Sequence, residues 1–69
     1  MVQDLVYVSG CANLRDNPGS RGRVLACLPT GIQVDVDSAP LYTDGKIWWH
    51  IAGRGWMAHD FLVAPNDAP

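Results

Sequence analysis

Turn-forming residues recur along this chain so often that no segment between them is longer than a short strand. Ser9-Gly10, the Asp, Asn, Pro and Gly-rich stretch 16–23, Pro29-Thr30-Gly31, the stretch 38–44 around Pro40, and Gly53-Arg54-Gly55 cut it into short pieces. Within those pieces the apolar residues do not recur at helical spacing. Ile32-Gln33-Val34-Asp35-Val36-Asp37 alternates apolar and polar without a fault, and Ile47-Trp48-Trp49-His50-Ile51 is aromatic and β-branched. Helical bundles and α/β layers are therefore excluded. The chain is expected to be all-β: five short strands in about 60 residues, closed into a small barrel or sandwich.

A chain of 69 residues holds one core, and a small one. Such folds commonly need a covalent or metal staple. Cys11 and Cys27 are the only cysteines, and CxxC spacing is absent, so a zinc ribbon or thioredoxin-type motif is not available. If the segments before and after the loop 16–23 pair about its middle, position 12 lies near 27, and the two cysteines fall within one residue of being opposite. Cross-strand neighbours stand about 4.5–5.5 Å apart, within reach of a disulfide. A Cys11–Cys27 bridge is the arrangement this geometry favours; two free thiols packed as small hydrophobes is the other.

Seven Asp and no Glu against five Lys and Arg give a net charge of −2, with no basic block of the kind that nucleic-acid binding needs. The longest apolar run, around residues 24–28, is far short of a membrane span, and residues 1–14 hold no basic side chain that would begin a signal peptide. His50 and His59 are not spaced as metal ligands with each other or with the cysteines. No cofactor or metal is expected. No oxyanion-hole loop follows either cysteine, so the chain does not read as an enzyme.

All three tryptophans lie in the hairpin around Gly53-Arg54-Gly55, more indole than so small an interior can absorb. Along its first strand Trp49 and Ile51 share one face, and Trp48 and His50 the other. Ile51 should face the core. Trp49 is thus expected inside and Trp48 outside.

Asn13-Leu14-Arg15 with Asn17-Pro18-Gly19, the run Val24-Leu25-Ala26-Cys27-Leu28-Pro29-Thr30-Gly31, then Val34-Asp35-Val36, Trp48-Trp49-His50-Ile51, Gly55-Trp56-Met57 and Phe61-Leu62 follow one another in an order and spacing that resembles the bacterial SH3 (SH3b) family. The likeness covers about residues 10–63. It leaves 1–9 as a lead-in strand or linker and 64–69 as a polar, proline-rich tail. It implies a five-stranded SH3-like barrel with 16–23 as the RT loop, 37–46 as the n-Src loop, and a single 3₁₀ turn at 58–60 before the last strand. It also implies a non-catalytic module that binds bacterial cell-wall peptide, in an extracellular or cell-envelope setting.

On that resemblance Trp48, Tyr42, Trp56 and Phe61 would form an aromatic groove, with Phe61 where the family has Tyr and so without the hydroxyl. Arg15, Arg21 and Arg23 against Asp16 alone make the RT loop basic, suited to carboxylates. Eukaryotic SH3 domains, which read polyproline, fit less well: their tyrosine pair is missing, Ala58 stands where they keep a groove proline, and the RT loop has the wrong sign for a basic ligand anchor. Each site residue also has a structural reading: Trp48 as a cover over the sheet, Trp56 as a core plug, Arg15 as a partner of Asp16 or Asp60. The alternative function is a structural or assembly protein, such as a virion or large-complex component, using its aromatics as a protein–protein interface.

Overall fold

The computed structural model describes residues 2–64, with Val2 described by its backbone only. The expected tail lies outside the described residues apart from Ala64. Eight strands form: β1 (Val2–Val6), β2 (Cys11–Arg15), β3 (Val24–Pro29), β4 (Gln33–Val36), β5 (Leu41–Thr43), β6 (Lys46–Ile51), β7 (Gly55–Ala58) and β8 (Leu62–Val63). A 3₁₀ turn, His59–Phe61, precedes β8, one residue later than expected. Every pairing is antiparallel, and the strands run in the order β3-β2-β7-β6-β4-β1-β8, with β5 added to β6. The chain is all-β, and its strands make one open path.

Three features raise the strand count above the expected five. The lead-in becomes a full member of the sheet, paired on one side with β4 and on the other with β8. Part of the stretch read as the n-Src loop folds into a hairpin of its own, because Asp44-Gly45 supplies a two-residue turn. Asp44 at φ 55° and Gly45 at φ 70° take the left-handed conformations that such a turn requires. The last strand is two residues long and complete only through its pairing to Leu5 and Val6.

Nine buried side chains make the core: Val6, Ala12, Leu14, Leu28, Val34, Val36, Ile51, Met57 and Leu62, with Val8, Trp49 and Phe61 packed against them. All strands but β5 contribute, and on β2 and β4 the buried residues fall at alternate positions, as strand geometry dictates. Strand β3 departs from this pattern. It lies at the end of the sheet, and only Leu28 on it is buried. Val24 and Leu25 are about half exposed.

Cys11 and Cys27 are joined by a disulfide, with a Cα–Cα distance of 5.4 Å. The register is displaced by one residue from a simple hairpin: Arg15 opposes Val24, but a bulge follows, so Leu14 opposes Ala26, Asn13 opposes Cys27 and Cys11 opposes Pro29. Leu25 is the residue left over. The bridge therefore runs diagonally across two positions, on the face of β2 that also carries Asn13 and Arg15.

Candidate functional site

Alternation along β6 places Lys46, Trp48 and His50 on the face opposite the core, and cross-strand pairing adds Ala58 and Trp56 from β7. Arg15 stands opposite Trp56 from β2, and Asn13 lies two residues along the same face. In an open sheet this outer face would meet water. Here two loops fold back over part of it.

The first is the loop 16–23. Arg15 turns beneath it and donates from one guanidinium nitrogen to the carbonyls of Ser20 at 3.1 Å and Gly22 at 2.8 Å. Asp16 holds the other end, its carboxylate accepting from the Arg23 N–H at 2.7 Å. The second is the β5–β6 turn, whose Asp44 carboxylate accepts from the Ser20 N–H at 3.0 Å and from the Ser20 hydroxyl at 3.3 Å. The two loops meet at this point because residue 19 is glycine. A Cβ there would lie 2.8 Å from an Asp44 carboxylate oxygen, and the backbone sits at φ +105°.

Between the loops and the sheet lies a cleft of about 240 Å³, lined by Asn13, Arg15, Ser20, Asp44, Lys46, Trp48, Ala58 and Phe61. Trp48 forms its floor. The expectation of an outward Trp48 holds for the face and fails for the exposure: the residue keeps only 4% of its surface in water and donates its indole N–H to the Thr43 carbonyl at 3.1 Å. Trp49, on the core side, is the more exposed of the two.

Of the residues singled out from sequence, the fold brings Arg15, Trp48 and Phe61 into this cleft. Tyr42 is three-quarters exposed and sits opposite Ile47, on the other face of the β5–β6 hairpin from Trp48. Trp56 shares the outer face but lies beyond the cleft, edge-on to the His50 ring at 5.1 Å. Arg21 and Arg23 are exposed on their loop and do not line the cleft. Arg15 is committed to backbone carbonyls rather than to Asp16 or Asp60.

Lys46 and Asn13 are cleft residues that the sequence reading passed over. Counting back two positions from Trp48 and from Arg15 would have found both. Asp44 could not have been found that way, since its place depends on the long-range meeting of two loops. The cleft carries two cations, Arg15 and Lys46, against the carboxylate of Asp44. Asp44 is engaged by Ser20 and Arg15 by the loop, while Lys46 makes no ion pair among the described residues. What the site offers a ligand is an ammonium group beside two aromatic rings and an amide.

The two histidines have structural partners. His50 pairs through Nδ1 with Asp37 at 2.5 Å, and its backbone N–H donates to the Ser38 hydroxyl oxygen at 3.1 Å. His59 accepts the Trp49 indole N–H on Nδ1 at 3.0 Å. Among the described residues no group of three or more His, Cys, Asp or Glu side chains is placed to hold a metal ion, and no helix is long and apolar enough to cross a membrane. No family model, curated protein or solved structure matches this chain.

Proposed function

We propose that this chain is a non-catalytic binding module whose cleft beneath the loop 16–23 takes an extended anionic peptide. The observation that carries this reading is the cleft itself: aromatic floor and wall, the Asn13 amide, and in Lys46 a cation without an ion-pair partner among the described residues. A peptide carboxylate would dock on Lys46 while an apolar side chain rests against Phe61. The resemblance to SH3b domains extends the reading to an SH3-like barrel and to cell-wall peptide as the ligand. A disulfide on an exposed strand fits an oxidising, extracellular or envelope setting.

Retention on purified peptidoglycan, followed by titration with a carboxylate-ended wall peptide, tests this. Lys46→Glu should weaken binding severalfold at low salt and less as salt rises, because exposed pairs contribute about 0.2–1 kcal/mol and are screened beyond about 8 Å. Arg21→Glu combined with Arg23→Glu should weaken it less, since these residues act on the ligand only through space. No retention, together with a Lys46→Glu variant equal to the parent, would overturn the proposal. A second reading, a packing module in a larger assembly, is favoured by one observation: β3 ends the sheet with Val24 and Leu25 half exposed.

A further inference from the structure

A second cavity, of about 250 Å³, opens on the opposite side of β6 and is lined by Asp4, Val36, Ser38 and Trp49. Its polar group is out of place. Strand β1 pairs with β4 so that Asp4 stands opposite Val34 and Val2 opposite Val36, and Val6 two positions on is in the core. Asp4 thus occupies an inward position of the alternation, opposite the buried Val34 and two positions before the buried Val6. Burial pushes its carboxyl above the ordinary carboxylate range, with the nearby His59 pulling it back.

The remaining polar groups of the lining are already used. The Ser38 hydroxyl accepts from the His50 N–H and donates to the Ala39 carbonyl at 3.0 Å. The Trp49 N–H is held by His59, which fixes the indole and leaves its ring carbons as what it can present to the cavity. No hydrogen bond or ion pair reaches the Asp4 carboxylate among the described residues. A partly buried anion beside a fixed aromatic ring and an apolar wall has the chemistry of a cation site: the carboxylate supplies charge and the ring supplies its negative face.

We infer that the Asp4–Trp49 cavity is a binding site for an ammonium group, either a lysine side chain or a free amine of a ligand. It is separate from the cleft that Lys46 lines, takes the opposite charge, and stands whether or not that cleft binds a wall peptide. The volume admits one alkylammonium arm and little more.

Titration of the whole chain, followed by the Trp49 indole N–H and backbone amide resonances, tests it with three probes: N-acetyl-lysine methylamide, glycine amide, and the uncharged norleucine analogue of the first. Saturable shifts around Asp4, Val36, Ser38 and Trp49 are expected with an ammonium probe and not with the norleucine analogue. Preference between the first two probes tells a side-chain amine from a free terminal one. Asp4→Asn keeps the shape of the side chain and should weaken binding roughly tenfold, the equivalent of about 1.4 kcal/mol. Equal shifts with the norleucine analogue, no saturable shift with either ammonium probe, or unchanged affinity in Asp4→Asn would each overturn the assignment. The first two need no variant.

Discussion

Trp48 and Trp49 are consecutive residues on opposite faces of one strand, and their surroundings are reversed from what their faces suggest. Trp49 points toward the core yet stays half-buried, packed at its margin. Trp48 points away from the core and is nearly sealed, because the loop 16–23 and the β5–β6 turn close over it. Their indole N–H groups differ in the same way: one is held by a backbone carbonyl, the other by a histidine ring. The sheet has two interiors of different construction, one made by strands and one by loops.

The largest expected effect follows from that difference. Trp48→Ala should cost about 3–5 kcal/mol, as for a fully buried aromatic, whereas Trp49→Ala should cost less because part of its ring is already in water. Thermal melts of the two variants compare them directly. A larger loss from Trp49→Ala would return the main packing role to the core side.

Reduction of the Cys11–Cys27 bridge comes next, at roughly 3 kcal/mol on the chain-entropy estimate for a loop of this length. Because β2 carries Asn13 and Arg15 on the face bearing the disulfide, loosening it should disturb the roofed side first. Hydrogen exchange should rise in the loop 16–23 before it rises in β4 and β6. Uniform loss of protection would mean that the two sides unfold as one.

Asp44→Ala is the narrower cut. It removes the acceptor for two Ser20 hydrogen bonds and should cost about 1–3 kcal/mol, with a red shift in Trp48 emission as water enters the cleft. Measured in a Trp49→Phe, Trp56→Phe background, the emission reports Trp48 alone. An unchanged spectrum would show that the loop stays closed without this contact.

The smallest effect lies on the inward side. With its carboxyl raised by burial, Asp4 binds its proton more tightly in the folded chain than in the unfolded one. Its penalty is absent below the unfolded carboxylate range and appears as pH rises through the folded value. Asp4→Asn should therefore raise Tm slightly at neutral pH, with the gain vanishing on acidification. A gain independent of pH would remove burial of the charge as its cause.

What could be read from sequence was local. Alternation along residues 32–37 gave the buried Val34 and Val36, parity separated Trp48 from Trp49, and the spacing of Cys11 and Cys27 about their loop foretold the bridge. What could not be read depended on distant segments meeting. The bulge that leaves Leu25 unpaired displaces the β2–β3 register by one residue, which no pattern within either strand signals. Tyr42 and the arginines at 21 and 23 have the side-chain types a peptide site would use, but their direction is set by a hairpin and a loop that meet through Asp44 and Ser20. Burial of Trp48 has the same origin: parity assigns a face, and only tertiary structure decides what covers it.

The position of β1 bears on how this chain reaches its fold. β1, the first strand of the described residues, lies between β4 and β8, so its second ladder waits for Leu62 and Val63, more than fifty residues later in the chain. Pairings of such sequence separation pay their loop-closure entropy before they return any contact, which slows folding for a chain of this size. Until those two residues emerge, Leu5 and Val6 present an open strand edge to the surrounding solution. Nascent chains halted short of residue 62 should accordingly be the species that proteases and chaperones engage.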